Sequence, residues 1–334
     1  MTIRSPKQQD LDHSGSECEH GIVTSHPTVS IIMSAANAAE TISDALEAVA
    51  GQDYPSLIEV VVATADELLA AEAAALGAIV VHNPGGRTPT GLNLAVARSR
   101  GEIVVRVDAH SVIPPGYVTG AVSALMDSGA DNAGGMQVPV GISFWERAIA
   151  AAMVSRIGAG DAKYRVGGAA GPTETVYLGT FRRSTFDRLG GYDEAFLRNQ
   201  DYELNHRIRK SGGTVWFDPS LKVEYQPRGS LYALANQYFQ YGQWKRRFAR
   251  VHRSLRLRQL APPGLVLVLA ASAVGSLWWP WLGLVPLTYL IALVAAGLAA
   301  LPGAGISAIG TPIALGTMHL SWGIGFLIGQ RSER

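Results

Sequence analysis

A long charge-free tract near the C-terminus is the feature of this sequence that most constrains its fold. Between Gln259 and Gln330 there is no Asp, Glu, Lys or Arg. Apolar sequence of this length is enough for several membrane-spanning helices of about 20 residues each. The breaks "WWPW" at 278–281 and "LPGAG" at 301–305 predict spans near 263–278, 281–301 and 306–328. The first is short, so two spans remain an alternative, as does a buried pair of core helices.

The segment before this tract is strongly basic. "KRRFARVHRSLRLR", from Lys245 to Arg258, contains seven Lys or Arg residues. By the positive-inside tendency this flank and everything before it stay in the cytoplasm, which predicts a multi-pass protein of the plasma membrane. An N-terminal apolar segment is absent, so we expect no signal peptide. The net charge of only +1 argues against nucleic acid as a partner.

The composition along the chain predicts four parts. We expect a disordered tail over 1–27, a cytosolic α/β domain over 28–229, a membrane-interface region over 230–260, and transmembrane helices over 261–330. In the interface region an aromatic and aliphatic stripe recurs at helical spacing. It consists of Leu231, Leu234, Tyr238, Tyr241 and Trp244. Such a stripe is more often packing than a site, and the basic residues after it suit a helix at the membrane surface. "SFWERAIAAAMVSRIG" (143–158) predicts a second helix of this kind.

The first half of the cytosolic domain alternates strand and helix patterns. The strand patterns are "TVSIIM" (28–33), "IEVVVA" (58–63), "AIVV" (78–81) and Ile103–Val107, and "AETISDALEAVAGQDYP" (39–55) is the first of the intervening helices. This alternation predicts a parallel sheet with helices on both faces. Ligands of such sheets bind outside the carboxyl ends of the strands.

Asp108 and His110 directly follow the fourth strand pattern, in "IVVRVDAHS". A carboxylate and an imidazole at this edge could hold a divalent cation that neutralises phosphates. Alone, Asp-x-His more often reflects a histidine that caps the strand end through a backbone hydrogen bond. Arg106 points to the same side of the strand as Asp108 and could pair with it or with a phosphate.

Two longer stretches carry a family resemblance. "NPGGRTPTGLN…GEIVVRVDAHSVIPPGYV" and "VYLGTFRRSTFDRLGGYDEAFLRNQDYELNHRIRKSGG" resemble the family 2 glycosyltransferases, and among them membrane-bound bacterial enzymes of succinoglycan-type exopolysaccharide assembly. The resemblance implies a nucleotide-diphospho-sugar transferase fold of the GT-A type, Rossmann-like with a mostly parallel sheet. It also implies transfer with inversion at the sugar carbon, a divalent metal (Mn²⁺ or Mg²⁺) on Asp108 and His110, and Asp201 as the catalytic base. An N-cap aspartate is the alternative for Asp201.

The resemblance assigns further residues to substrates. The nucleotide-sugar contacts that it implies are Ala35, Asn37, Thr64, Asp66, Arg87, Asn93, Arg106, Asp108 and Ala109. On the acceptor side it implies Asn199, Gln200 and Trp244.

This sequence departs from the family pattern at two places. Ser34 and Ala38 replace a proline and an acidic residue, and Thr64 stands where an aspartate usually recognises the nucleobase. Asp66 could substitute for that aspartate from the loop, and uridine as the donor base is therefore in doubt.

The expected function is transfer of one sugar from a nucleotide-diphosphate donor to a lipid-linked saccharide at the membrane. Processive polymerisation is not supported, because "YGQWKRR" (241–247) lacks the Gln-x-x-Arg-Trp motif of processive synthases. The alternatives are a polyprenyl-phosphate sugar synthase and a membrane-anchored scaffold without catalytic activity.

Overall fold

Eight strands form one sheet among the residues that the computed structural model describes, which are 26–36 and 41–330. Nearly all of the predicted N-terminal tail lies outside these residues, and so does Asn37. The strands are β1 (Val29–Ala35), β2 (Leu57–Thr64), β3 (Ile79–His82), β4 (Ile103–Arg106), β5 (Asn132–Pro139), β6 (Gly171–Pro172), β7 (Tyr177–Arg182) and β8 (Val215–Tyr225).

The helices before the apolar tract are α1 (Ile42–Ala50), α2 (Glu67–Ala75), α3 (Thr88–Arg98), α4 (Tyr117–Ser128), α5 (Phe144–Val154), α6 (Arg156–Ala159), α7 (Lys163–Val166), α8 (Arg183–Leu189), α9 (Gln200–Lys210) and α10 (Leu231–His252). Within the tract lie α11 (Ala261–Gly275), α12 (Leu284–Ala299), α13 (Leu301–Ala304) and α14 (Thr311–Ile328). Short 3-10 segments cover Leu257–Leu260, Pro280–Gly283 and Gly305–Gly310.

The sheet is mostly parallel, as the alternation of the first half predicts. Its strand order is β3-β2-β1-β4-β7-β5-β8-β6, and β1 to β4 all pair in parallel. β7 lies antiparallel between β4 and β5, and β8 runs parallel to β5. Successive strands are added on one side of β1 as far as β3 and then on its other side from β4, so the strand order switches direction at β1. In open α/β sheets a crevice forms at such a point, outside the carboxyl ends of the strands.

Both faces of the sheet are covered by helices. In β1, Ile31 and Met33 pack on one face against α1 and α4, whereas Ile32 packs on the other face against α3, α8 and α9. This follows from the two-residue period of a strand. The predicted first helix is present as α1, and Ile42, Leu46 and Val49 are buried on one face of it.

Three helical segments of the apolar tract are long and apolar enough to cross a membrane. They are Leu257–Gly275, Pro280–Ala299 and Leu301–Ile328. The first two expose most of their apolar side chains. Trp278, Trp279 and Trp281 are exposed at the turn between α11 and α12, where tryptophan suits the membrane–water interface.

The third segment is attached to the sheet domain through α5 and α10. Ile149 and Met153 of α5, Leu234 of α10, and Leu315 and Met318 of α14 form one buried cluster. Residues of the predicted stripe on α10 therefore pack against α5 and α14, and Tyr238 and Tyr241 among them also line the cleft described below.

Glycine allows α10 and α14 to approach closely. A Cβ atom on Gly242 would meet the backbone of Trp322, and one on Gly325 would meet the backbone of Phe239. Small residues at such contacts let two helix backbones touch.

Candidate active site

Arg106 is the centre of the candidate site and joins two acidic residues that are distant in sequence. It is the last residue of β4 and its side chain is 7% exposed. Its Nε and Nη2 atoms donate hydrogen bonds to Oδ1 of Asp108, at 3.0 and 2.7 Å. Its Nη1 atom forms an ion pair with the carboxylate of Asp201. One buried guanidinium thus holds both candidate carboxylates.

The electrostatics of this pair favour the ionised forms. Burial raises the pKa of Asp108, but the charges of Arg106 and His110 and the hydrogen bond from Arg106 outweigh it, so the pKa lies below its usual value. For Arg106 burial lowers the pKa, and the charge of Asp108 reverses this, so the pKa is raised. A buried charge is tolerated when it is paired and hydrogen-bonded in this way.

Asp201 lies in the first turn of α9, where the helix dipole favours a carboxylate. Its side chain is 41% exposed and faces the cleft. Asn199, which precedes the helix, has φ +60°, and Gln200 is buried. Both line the cleft beside Asp201. The left-handed backbone conformation of Asn199 turns the chain sharply from the loop into α9 and so brings Asp201 to Arg106.

Asp108 and His110 fit a divalent metal that a substrate helps to bind. All hydrogen bonds given to Asp108 by Arg106 fall on one oxygen, Oδ1, and His110 is exposed on the cleft wall. Among residues 26–36 and 41–330 no group of three or more His, Cys, Asp or Glu side chains could hold a metal ion. Mn²⁺ and Mg²⁺ accept such oxygen and nitrogen ligands, and Mg²⁺ is commonly bound by one or two carboxylates together with substrate phosphates.

The cleft around these residues is large and reaches the apolar helices. Its volume is about 2130 Å³. At one end lie Asp108, Ala109 and His110, and at the other lie Pro262 and Leu265 of α11 with Tyr289, Met318 and Trp322 of α12 and α14. A single cleft therefore connects the carboxyl end of β4 to the apolar C-terminal helices.

Several of the predicted donor residues have structural partners or lie outside the cleft. Asn93 accepts a hydrogen bond from the backbone of Tyr192 and donates to Glu194, so its amide holds the "GGYDE" loop. Gly191 of that loop has φ +79°, and a Cβ atom there would meet Asn93. Arg87 is exposed near Glu194 rather than on the cleft wall.

Near the end of β2, Asp66 lines the cleft but serves as the N-cap of α2, where its Oδ1 accepts from the backbone of Leu68 and Leu69. Thr64 is buried and its hydroxyl accepts from the backbone of Asp66. Ala35 is buried at the end of β1. Asp66 therefore has a structural role at the start of α2, whether or not it also contacts a nucleobase.

Trp244, predicted on the acceptor side, packs under the loop that precedes α9. It is 7% exposed and contacts Phe196, and Arg247 lies over its ring. The cleft wall at this level of α10 is formed instead by Tyr241 and Lys245. Trp244 therefore lies in the same turn of α10 as these two cleft residues but on a different side of the helix.

Sequence reasoning missed the cations on this wall. Arg165 of α7 and Lys245 both line the cleft. The segment around Arg165 has no periodicity or motif, and Lys245 belongs to a run of basic residues that resembles a membrane flank. The only sequence signal for this face of α10 was the predicted stripe, of which Tyr238 and Tyr241 line the cleft.

Comparison with known proteins decides the family. The family model described as "Glycosyl transferase family 2" matches residues 30–190. The succinoglycan biosynthesis protein ExoA of Rhizobium meliloti (strain 1021) is 32% identical over 262 residues, which cover 74% of this chain and 76% of the relative. The chain belongs to glycosyl transferase family 2. It is therefore a glycosyltransferase, as the sequence resemblance implies.

A solved structure of another protein has the same fold as this chain. The mannosyltransferase PcManGT from Pyrobaculum calidifontis, in complex with GDP-Man and Mn²⁺, has a TM-score of 0.58 and 23% sequence identity. The match covers 91% of this chain and 87% of that one. The similarity confirms the predicted GT-A type of fold with C-terminal apolar helices.

Proposed function

We propose that this glycosyltransferase moves one sugar, with inversion, from a nucleotide-diphosphate donor to a saccharide carried on a lipid. The transfer would take place at the cytoplasmic face of the plasma membrane, in assembly of a cell-surface polysaccharide such as the one that the ExoA relative is named for. The parts that we propose are a cytosolic domain over 28–229, an interface region over 230–260 and membrane helices over 261–330.

The observation that carries this proposal is the continuity of the cleft. Asp108 and Asp201, joined by Arg106, lie at one end, and side chains of α11 and α14 lie at the other. An acceptor with a lipid chain in the membrane could therefore present its sugar to Asp201.

The charge of the cleft suits anionic substrates. Its lining includes ten Lys or Arg residues against six Asp or Glu residues, whereas the net charge of the whole chain is only +1. A cleft lined by one sign of charge concentrates ligands of the opposite sign. A nucleotide diphosphate and a lipid phosphate are both such ligands.

In the proposed reaction Asp201 acts as the general base. Its carboxylate accepts the proton of the acceptor hydroxyl while that oxygen forms a bond to the anomeric carbon of the donor sugar. The bond between this carbon and the diphosphate breaks on the opposite side, and its electron pair leaves with the nucleoside diphosphate. Attack from the opposite face inverts the configuration.

Arg106 and Asp108 prepare the donor end of the cleft. The guanidinium of Arg106 keeps Asp108 ionised and fixes its orientation. Asp108 and His110 would bind the divalent metal, which when present neutralises charge on the leaving diphosphate. PcManGT, which shares the fold, was solved with Mn²⁺ and a nucleotide sugar, and this supports the same cofactor class here.

The function is tested with membranes that contain the full-length protein, a panel of nucleotide sugars, Mn²⁺ or Mg²⁺, and lipid extract. We expect one donor to release nucleoside diphosphate and to label a lipid-linked saccharide. Asp108→Ala and Asp201→Asn should both lower this rate, each by about 100-fold or more, since general-base and charge stabilisation have effects of this size. Asp193→Asn, in the loop before α9 and outside the cleft lining, is the control.

Other products would contradict the proposal. A lipid monophosphate that carries a single sugar would indicate a polyprenyl-phosphate sugar synthase. Full transfer by Asp201→Asn would exclude Asp201 as the base, and turnover unaffected by Asp108→Ala or by chelation of divalent metals would exclude the metal site.

A further inference from the structure

Two buried cations on the cleft wall have no acidic partner. Arg165 is 9% exposed and Lys245 is 8% exposed. Among the described residues neither forms an ion pair with a carboxylate. Charged groups are almost never buried in proteins unless they are paired or contact a ligand. These two positions therefore call for an anion that the protein itself does not supply.

Arg165 is surrounded by tyrosines rather than acids. Its Nε atom donates to the hydroxyl of Tyr164 at 3.4 Å, and its Nη1 atom is buried without a hydrogen-bond partner in the described part of the chain. Burial lowers the pKa of Arg165, and the nearby hydroxyls of Tyr164, Tyr238 and Tyr241 outweigh this effect, so the pKa is raised. A guanidinium with a free donor in such a cleft is suited to a phosphate oxygen.

Lys245 is held by aromatic rings. Its Nζ atom lies 3.2 Å from the ring centroid of Tyr202 and 5.0 Å from that of Phe248. Burial lowers the pKa of Lys245 to about 7, although the nearby charge of Glu174 acts in the opposite direction. Glu174 is already engaged by Arg256 and Arg258, so it does not neutralise Lys245.

The two cations lie on one wall of the cleft. Tyr238, Tyr241 and Lys245 follow at intervals of three and four residues and so share one face of α10. Arg165 lines the same cleft, and the hydroxyls of Tyr238 and Tyr241 are near enough to raise its pKa against the opposing effect of burial. Arg209 of α9, also without a carboxylate partner, lines the cleft nearby and contributes positive potential at Lys245.

We propose that Arg165 and Lys245 bind the phosphate or diphosphate group of the lipid-linked acceptor. This inference rests on the proposed function, because it assigns the charged group of that acceptor to named side chains. The site lies along α10, between Asp201 at the sugar end of the cleft and the α11 and α14 side chains at the apolar end. The saccharide would extend towards Asp201, and the lipid chain would leave between Pro262, Leu265 and Trp322.

A nucleotide-sugar donor could supply the same phosphate chemistry, and the placement of the cations argues against it. The donor diphosphate belongs beside Asp108 and His110, at the carboxyl end of β4. Arg165 and Lys245 belong instead to α7 and to the helix that packs on α14. Binding of donor and acceptor should therefore respond to different substitutions.

The test uses the full-length protein in lipid nanodiscs and measures binding and turnover separately. The binding probe is a polyprenyl diphosphate, compared with the uncharged polyprenol of the same length. Wild type should bind the diphosphate more tightly. Arg165→Gln and Lys245→Met should each weaken this binding by about 10-fold to 100-fold, as expected for loss of a charged hydrogen bond, and should raise the KM of the lipid-linked acceptor similarly.

Three comparisons make the result specific. Donor affinity and donor hydrolysis should be unchanged in both variants. Lys245→Arg should retain most of the binding, because it keeps the charge. Arg250→Gln, which removes an exposed charge from the same helix outside the cleft, should behave as wild type.

Thermal unfolding separates a binding role from a structural one. Lys245→Met removes a buried charge that has no counterion, so its melting temperature should equal or exceed that of wild type. A lower melting temperature together with weaker binding would overturn the assignment.

Two further results would also overturn it. They are equal affinity of wild type for polyprenyl diphosphate and polyprenol, and loss of donor rather than acceptor affinity in the variants. Tight diphosphate binding by a protein that transfers no sugar would instead contradict only the proposed function.

Discussion

At the scale of single residues, the site depends on how the protein places positive charge. Arg106 is buried and connects Asp108 and Asp201, so the donor end of the cleft contains a satisfied network. Arg165 and Lys245 are equally buried, but within the part of the chain that the structure describes neither has a carboxylate partner. Buried charges that are paired mainly orient their partners, whereas unpaired ones carry a desolvation cost that a bound anion can offset. Arg106 therefore orients the two carboxylates of the site, whereas Arg165 and Lys245 are available to bind an anionic group of a substrate.

The pH dependence of acceptor binding follows from Lys245. Its pKa is lowered to about 7, with burial the main cause, Glu174 opposing it, and Arg209 and Arg256 reinforcing it. Because the protonated amine binds phosphate, the acceptor KM should be lowest below pH 7 and rise as the pH passes through this value. In Lys245→Arg the rise should disappear, since the guanidinium stays protonated. Initial rates against acceptor concentration, from pH 6 to 9, measure this; parallel profiles for both proteins would contradict it.

The same pKa has a consequence for stability. Unfolded lysine titrates near its usual value of 10.5, so between about pH 7 and that value the unfolded chain binds more protons than the folded one. Lys245 therefore destabilises the folded chain below about pH 7, and this cost decreases as the pH rises through this range.

At the scale of elements, helix contacts tie the cleft to the apolar tract. α14 packs against α10, α5 and α11, and Gly242 and Gly325 permit the close approach to α10. Glu203, buried in α9, pairs with Arg207 and with His252 at the end of α10. The helix that contains Asp201 is thus connected to the helix that contains Lys245.

Enlarging the α10–α14 contact should damage the protein. Gly242→Leu places a side chain where the backbone of Trp322 lies, and overpacking of this kind costs about 1–3 kcal/mol or more. We expect a lower melting temperature in nanodiscs and weaker acceptor turnover. Gly264→Leu on α11 is the control, because a Cβ atom there has no neighbour within 4 Å. Equal melting temperatures for the two variants would show that the helix contact contributes little to stability.

At the scale of the whole molecule, α14 runs beside the sheet domain along its entire length. Near its start, the Thr311 hydroxyl bonds to the backbone of Ala148 in α5. Near its end, Arg246 of α10 donates to the carbonyl of Phe326 at 3.1 Å, and Gln243 donates to that of Gly329. Both ends of α14 thus contact helices of the domain that precedes the membrane tract, whereas α11 and α12 extend away with exposed apolar surfaces.

This arrangement makes a prediction about topology. If α11 and α12 cross the membrane as a pair and α14 lies against α10, the C-terminus is on the same face as the catalytic domain. Tags at the two ends should then become accessible to a membrane-impermeant reagent in the same vesicle orientation. Tags on opposite faces would instead show that all three segments span the membrane.

The features of this protein that depend on local residue pattern were predictable from the sequence. Strand and helix alternation predicted the mostly parallel sheet, because a helix between two strands returns the second strand parallel to the first. The charge-free tract predicted the apolar helices, because composition alone decides whether a segment can lie in a membrane. Asp108, His110 and Asp201 were recognisable from short motifs, and their roles remain proposals.

The contacts between residues that are distant in sequence became visible only in the folded structure. Arg106 and Asp201 lie far apart in sequence, and the antiparallel β7 inserted beside β4 gives no signal in the periodicity that predicts parallel strands. Asn93 was predicted at the donor, but contacts with the loop around Tyr192 occupy its amide. Burial of Arg165 and Lys245 arises because α7, α9, α10 and the membrane helices converge on one cleft. Such convergence is set by long-range packing, which a local pattern of residues does not encode.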